Sequence, residues 1–148
     1  MTTHRPVPDR SGTLLYDGDC GLCVATAGWL RDRAPAEFLG LLALQQVDSD
    51  PGIAAHVAGR DLAESVTFVR ADGRVLTGAR AALAAGRLVR GWGLFAILAD
   101  HRPGHAFLEP LYREIALHRR RIGRMLGLPA VCPLVTRPRA ERTDRDAT

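Results

Sequence analysis

Apolar residues in this chain come in short runs broken by turn residues, and two periods are visible. Thr13-Leu14-Leu15-Tyr16 has strand length, and Asp17-Gly18-Asp19 breaks it with turn and N-cap residues. From Cys20 the period becomes helical: Leu22, Cys23, Ala27 and Leu30 form one stripe, which fades at Arg33-Ala34-Pro35. Phe38 to Ala43 is a second apolar run and reads as a buried strand. Two such runs joined by a helix predict a parallel βαβ unit. Asp48-Ser49-Asp50-Pro51 then signals a short helix reaching about Ala58. Ser65–Arg70 and Arg74–Thr77 flank Ala71-Asp72-Gly73, a hairpin signal, and the alanine-rich stretch Gly78–Val89 reads as helix.

A parallel pair followed by a hairpin and a helix resembles the skeleton of a thioredoxin-like α/β domain, an analogy at the level of fold alone. Beyond Arg90 the pattern is helical. Trp92–Ala99 forms one segment, ended near Arg102-Pro103-Gly104. In the next, Leu108, Leu111, Tyr112, Ile115, Ile122 and Leu126 share one face, with Arg119 in its middle. The expected layout is a flexible lead over residues 1–12 and one domain over 13–130, with C-terminal helices from about 91. A polar tail follows over 131–148.

Charge changes the picture at one place. All 20 basic residues are arginine, so no Schiff-base amine or lysine general base exists here. Between Leu111 and Leu126, five arginines (113, 119, 120, 121, 124) face one acid, Glu114. Without interleaved aromatics for base stacking, this is a solvated face and no nucleic-acid partner is expected. No run approaches the length of a spanning helix and no secretory leader is visible, so a cytoplasmic location without membrane insertion is expected. Nothing in the pattern specifies an oligomer.

The candidate chemistry lies at Cys20 and Cys23. Thiolate is the attacking species, and a helix N-terminus favours it through unpaired N–H groups and the helix dipole. Cys23, one turn later, can resolve a mixed disulfide formed on Cys20. No cofactor is needed for this exchange. Asp17 and Asp19 oppose thiolate formation, which disfavours the reduced form. The expected couple is therefore reducing or mildly oxidising, on the order of −200 to −270 mV. Zinc would want four ligands; Cys132 with one of His56, His101, His105 or His118 could complete a set, but none stands at ligand-pair spacing. Two inert buried cysteines are the other alternative. Cys132 is a candidate secondary thiol.

At these residues the chain is similar to a known family. Leu14-Leu15-Tyr16-Asp17-Gly18-Asp19-Cys20-Gly21-Leu22-Cys23 resembles the signature of the DCC family of predicted thiol-disulfide oxidoreductases (domain of unknown function 393). Ser65–Val69 with the following hairpin resembles its central strand pair. Tyr112–Arg119 resembles its Y-x-x-I-A-x-N-R segment, with His118 where Asn is common, and Cys132-Pro133-Leu134 resembles its terminal region. The resemblance implies a thioredoxin-like fold and exchange with a protein or small-molecule thiol or disulfide. Thioredoxin itself has Trp before the first Cys, Pro within the pair and a cis-proline before the hairpin; here those places hold Asp19, Leu22 and Glu64-Ser65-Val66.

Two other classes compete. An apolar strand ending in Asp-x-Asp also opens Mg²⁺-dependent phosphohydrolases, with Asp17 as nucleophile and Asp19 as acid/base. That chemistry wants a phosphate-holding cation and a later acidic pair, and no later strand ends in paired acids. A non-catalytic anion-binding module using the basic helix is the third reading. Arg119 carries one more expectation. A guanidinium on an apolar face needs an acid across the interface. The C-terminal helix should therefore pack over the dithiol, with Arg119 in a bidentate pair with one of the two acids, Asp17 first.

Overall fold

The computed structural model describes residues 11–94, 97 and 101–128. Cys132, the tail over 131–148, most of the expected lead and part of the Trp92–Ala99 segment lie outside the described residues. The elements are β1 (Gly12–Tyr16), α1 (Gly21–Arg33), β2 (Leu39–Ala43), a 3-10 helix (Leu44–Ser49), α2 (Pro51–Val57), β3 (Thr67–Arg70), β4 (Val75–Thr77), α3 (Gly78–Gly86) and α4 (Arg102–Met125). They build a mixed four-stranded sheet in the order β2-β1-β3-β4. β1 runs parallel to β2 and antiparallel to β3, and β3 to β4 is the antiparallel hairpin. This α/β arrangement is compatible with a thioredoxin-like fold.

Strand alternation sorts the core onto two faces. Leu14, Tyr16, Leu39, Leu41, Ala43 and Phe68 meet Ala27 and Leu30 of α1 and Ala81 and Ala85 of α3. Leu15, Leu42 and Val69 point the other way, onto Val47 and Val57. Each fully buried Leu or Phe is worth about 1.5–3 kcal/mol, so the two-sided burial of β1 and β2 fixes their register. Local signals set the ends of elements. Asp50 accepts from the Ile53 N–H (3.1 Å) and caps α2 ahead of Pro51. Asp72 accepts from the Arg74 N–H (3.0 Å) in the hairpin, whose Gly73 has φ +84°.

Three expectations need correction. Ser11 and Gly12, assigned above to a flexible lead, are buried, and Gly12 pairs with Leu39 and Arg70. A Cβ at Gly12 would collide with the Val69 carbonyl oxygen, so this strand position needs glycine and carries no apolar signal. Arg102-Pro103-Gly104, taken as a terminator, opens α4, with proline in the first turn where its missing N–H costs nothing. The docked face of α4 is also rotated from the expected one. Leu108, Tyr112, Ala116, Arg119, Ile122 and Gly123 are the covered positions, whereas Leu111 and Leu126 are 56% and 64% exposed. Small residues at 116 and 123 permit the close approach that a search for large apolar side chains passes over. Among the described residues no helix is long and apolar enough to cross a membrane.

Candidate functional site

The site forms where β1 ends and α1 begins. Parallel pairing sets Tyr16 opposite Ala43, which carries the next residues of both chains side by side beyond the sheet. Gln45 therefore reaches the turn. Its Oε1 accepts from the Gly18 N–H (3.1 Å), and its Nε2 donates to Asp17 Oδ1 (3.2 Å) and Asp19 Oδ2 (3.0 Å). A Cβ at Gly18 would stand 2.7 Å from Gln45 Oε1, so a larger residue there would displace the Gln45 amide from the turn. Asp17 Oδ1 also accepts from the Asp19 N–H (3.0 Å), an Asx turn that shapes the loop.

Cys20 is the N-cap residue of α1, with extended backbone at φ −105°, and no side-chain cap bond forms there. Its N–H donates to the Asp17 carbonyl (3.2 Å), and its own carbonyl accepts the first helical bond from Val24 (2.9 Å). Cys20 is 1% exposed and Cys23 is half-buried; both are free thiols. The Cys23 thiol is pushed up to about 12, first by burial, then by its hydrogen bond to Cys20 and by that sulfur's charge. Arg119 works against this rise and Asp17 adds to it. An apolar cavity of about 310 Å³ lies beside Cys23, walled by Leu22, Trp29, Leu30, Trp92 and Ile115 among others.

Helix α4 closes the site from above. Gly123 is buried against α1, where an added Cβ would stand 3.4 Å from the Leu22 nitrogen. Arg119 Nη2 lies 3.5 Å from Asp17 Oδ2 and donates to the Ala63 carbonyl at 2.8 Å, with the two side chains 17% and 10% exposed. The expected pair with Asp17 is thus present but not bidentate, because the same nitrogen also serves Ala63. Tyr112 Oη accepts from the Val66 N–H (2.8 Å). Burial raises the Tyr112 phenol above its ordinary value, and Cys23 adds to that rise.

The family model for DCC1-like thiol-disulfide oxidoreductases matches residues 14–125. The chain belongs to this DCC1-like family. The match begins within β1, includes both cysteines and runs to the last residue of α4. No curated protein and no solved structure matches the chain.

In this DCC1-like chain the fold gathers Asp17, Asp19, Cys20, Cys23 and Arg119 into one cluster. Cys132 lies outside both the matched and the described residues. Among the described residues no three His, Cys, Asp or Glu side chains converge as a metal site would require. Sequence reasoning missed Gln45, although it is the first polar residue after the buried β2 run and the parallel register leads to it. It also missed the roles of Ala63 and Val66, which are played by backbone groups and leave no trace in side-chain pattern. Tyr112 was placed on an apolar face and in the family-like segment, with no role given to its hydroxyl.

Proposed function

We propose that this chain exchanges thiols and disulfides through Cys20 and Cys23, with Cys20 as the attacking sulfur. The observation that carries the reading is the placement of the two thiols: one at the N-cap of a 13-residue helix, the other one turn later and hydrogen-bonded to it. The helix N-terminus offers N–H groups and positive dipole charge to a sulfur anion. Cys23 holds its proton and Cys20 stands at the helix N-terminus, which makes Cys20 the first attacker in this reading.

The causes of the Cys23 shift also order the two steps. In the first, the Cys20 thiolate displaces one sulfur of a substrate disulfide and becomes part of a mixed disulfide. Its negative charge is then gone, and with it two of the influences that hold the proton on Cys23. The Arg119 contribution, which favours the Cys23 thiolate, remains. Cys23 thus becomes the better nucleophile only once there is a mixed disulfide to resolve. It attacks the Cys20 sulfur and expels the second substrate thiolate.

Asp17 and Asp19 are supporting residues in this reading. Each accepts from the one Gln45 amide, and Asp17 is also paired with Arg119, which argues for a turn-building role over phosphoryl chemistry. The test is thiol counting before and after mild oxidation with diamide, followed by mass mapping. Two thiols should disappear together and reappear with dithiothreitol, in a peptide joined through Cys20 and Cys23. Cys23→Ser should trap a mixed disulfide on Cys20, and Cys20→Ser should abolish exchange. Stoichiometric zinc bound through both sulfurs would overturn the reading.

A further inference from the structure

Two routes lead toward the dithiol, and helix α4 treats them differently. One runs along the start of β3, beside the end of β1, where an extended peptide would pair with the backbone. There the Val66 N–H is already given to Tyr112 Oη, and the Val66 carbonyl accepts from the Gly78 N–H (3.0 Å). The Ala63 carbonyl accepts from Arg119. Side chains of α4 thus occupy an N–H and a C=O that a peptide would use.

The other route ends at Cys20. A groove of about 460 Å³ is lined by Asp19, Cys20, Gly21, Arg120, Gly123 and Arg124, with Leu128 at one end. That volume suits a small molecule and not a folded partner. Arg120 and Arg124 stand one helical turn apart on α4, both exposed, and neither has an ion-pair partner among the described residues. The single carboxylate in the groove, Asp19, is held by Gln45. Gly123 lies between the two arginines and packs close to Leu22 of α1, and both arginines line the same groove as Cys20.

We propose that the substrate is a low-molecular-weight disulfide carrying carboxylates, held by Arg120 and Arg124 at Cys20, and not a protein disulfide. The proposal rests on the Cys20–Cys23 exchange reading and names its substrate class. The Cys20 thiolate attacks one sulfur of R–S–S–R; that bond breaks, and R–S⁻ leaves and takes a proton from water. Cys23 then loses its proton, attacks the Cys20 sulfur and releases the second R–S⁻. Two electrons pass from the dithiol to the substrate, giving two R–SH and the Cys20–Cys23 disulfide. A small thiol reductant restores the pair.

The experiment compares kcat/KM of the full chain for oxidised glutathione (anionic), cystamine (cationic) and insulin disulfides, with dithiothreitol supplying electrons. At low ionic strength the anionic substrate should exceed the cationic one by on the order of tenfold or more, with insulin near the uncatalysed rate. The anionic-to-cationic ratio should fall toward one in Arg120→Gln/Arg124→Gln and in high salt. The charge-matched control Arg113→Gln/Arg121→Gln, outside the groove, should keep it. Insulin reduced as fast as glutathione, or a ratio unchanged in the groove variant, would overturn the proposal. Diamide oxidation with mass mapping separates the two failures. If no Cys20–Cys23 bond forms, the exchange reading falls and the substrate class with it. If the bond forms and the ratio is one, only the substrate class falls.

Discussion

The segment from β1 into α1 and the helix α4 serve one site by opposite means. The first acts locally: a buried strand, a glycine turn and a helix N-terminus place two thiols within 12 residues of chain, from Gly12 to Cys23. The second acts at a distance, from residues nearly a hundred positions away. It supplies a cation to Asp17, a phenol to Val66 and a roof over Cys20, all from one helical stripe. The local segment determines what chemistry is available. The distant helix determines what reaches that chemistry, and it can be varied without touching a sulfur.

The largest stability effect that separates the two regions lies at their ion pair. Arg119→Ala leaves the Asp17 carboxylate, 10% exposed, without its cation, and leaves the Ala63 carbonyl without its donor. The expected loss is about 2–4 kcal/mol. Asp17→Asn should cost less, about 1–2 kcal/mol, because an amide oxygen can still accept from the Asp19 N–H. In the double variant the effects should fall short of additive by about 1 kcal/mol, read from urea midpoints. Strict additivity would show that α4 docks without using this pair, and the contrast drawn between the two regions would lose its main link.

The pair also shows how far sequence can be pushed. Strand β1, the turn, α1, β2 and the hairpin were legible because each carries its own signal: an apolar run, a turn residue, a cap. Arg119 was legible for a different reason. A guanidinium on an apolar face is costly, and the unpaired acids near Cys20 were the natural remedy. Three features were not legible. Gln45 is an ordinary polar residue whose importance comes from strand register. Gly12 acts through the side chain it lacks, and Gly123 marks the close approach of α4 to α1. The docked face of α4 was misjudged toward Leu111 and Leu126, since large apolar residues were expected inward, whereas close helix contact at Gly123 turned small ones inward. Side-chain pattern records burial better than it records proximity.

A smaller effect tests whether α4 is fastened to the start of β3 as well as to the turn. Tyr112→Phe removes the oxygen that accepts from the Val66 N–H and keeps the ring. A half-buried donor is then left without a partner, which costs about 1–2 kcal/mol. The same variant frees a backbone N–H on the route a peptide would use. Insulin reduction should therefore rise relative to glutathione reduction. Hydrogen exchange at the Val66 amide reports the loss directly: protection should drop there while β1 amides keep theirs. Unchanged protection at Val66 would mean the phenol is not the fastening.

The last effect, absent at neutral pH, is a dependence of stability on pH, and its sign follows from the local segment. The Cys23 thiol stands at about 12 in the folded protein against an ordinary 9.0, through burial first and the Cys20 sulfur second. Below about pH 9 the thiol is neutral in both folded and unfolded chains, and it contributes its full share to stability. Above that, the unfolded chain gives up the proton while the folded one keeps it, so stability falls as pH rises from about 9 toward 12. Tyr112 adds a term of the same sign, beginning above its ordinary 10.0. Urea midpoints of the reduced wild type should therefore decline between pH 8 and 10.5 more steeply than those of reduced Cys23→Ser, which retains Cys20 and Tyr112. Parallel declines would mean that burial does not hold the proton on Cys23, and that the local segment leaves this sulfur solvated.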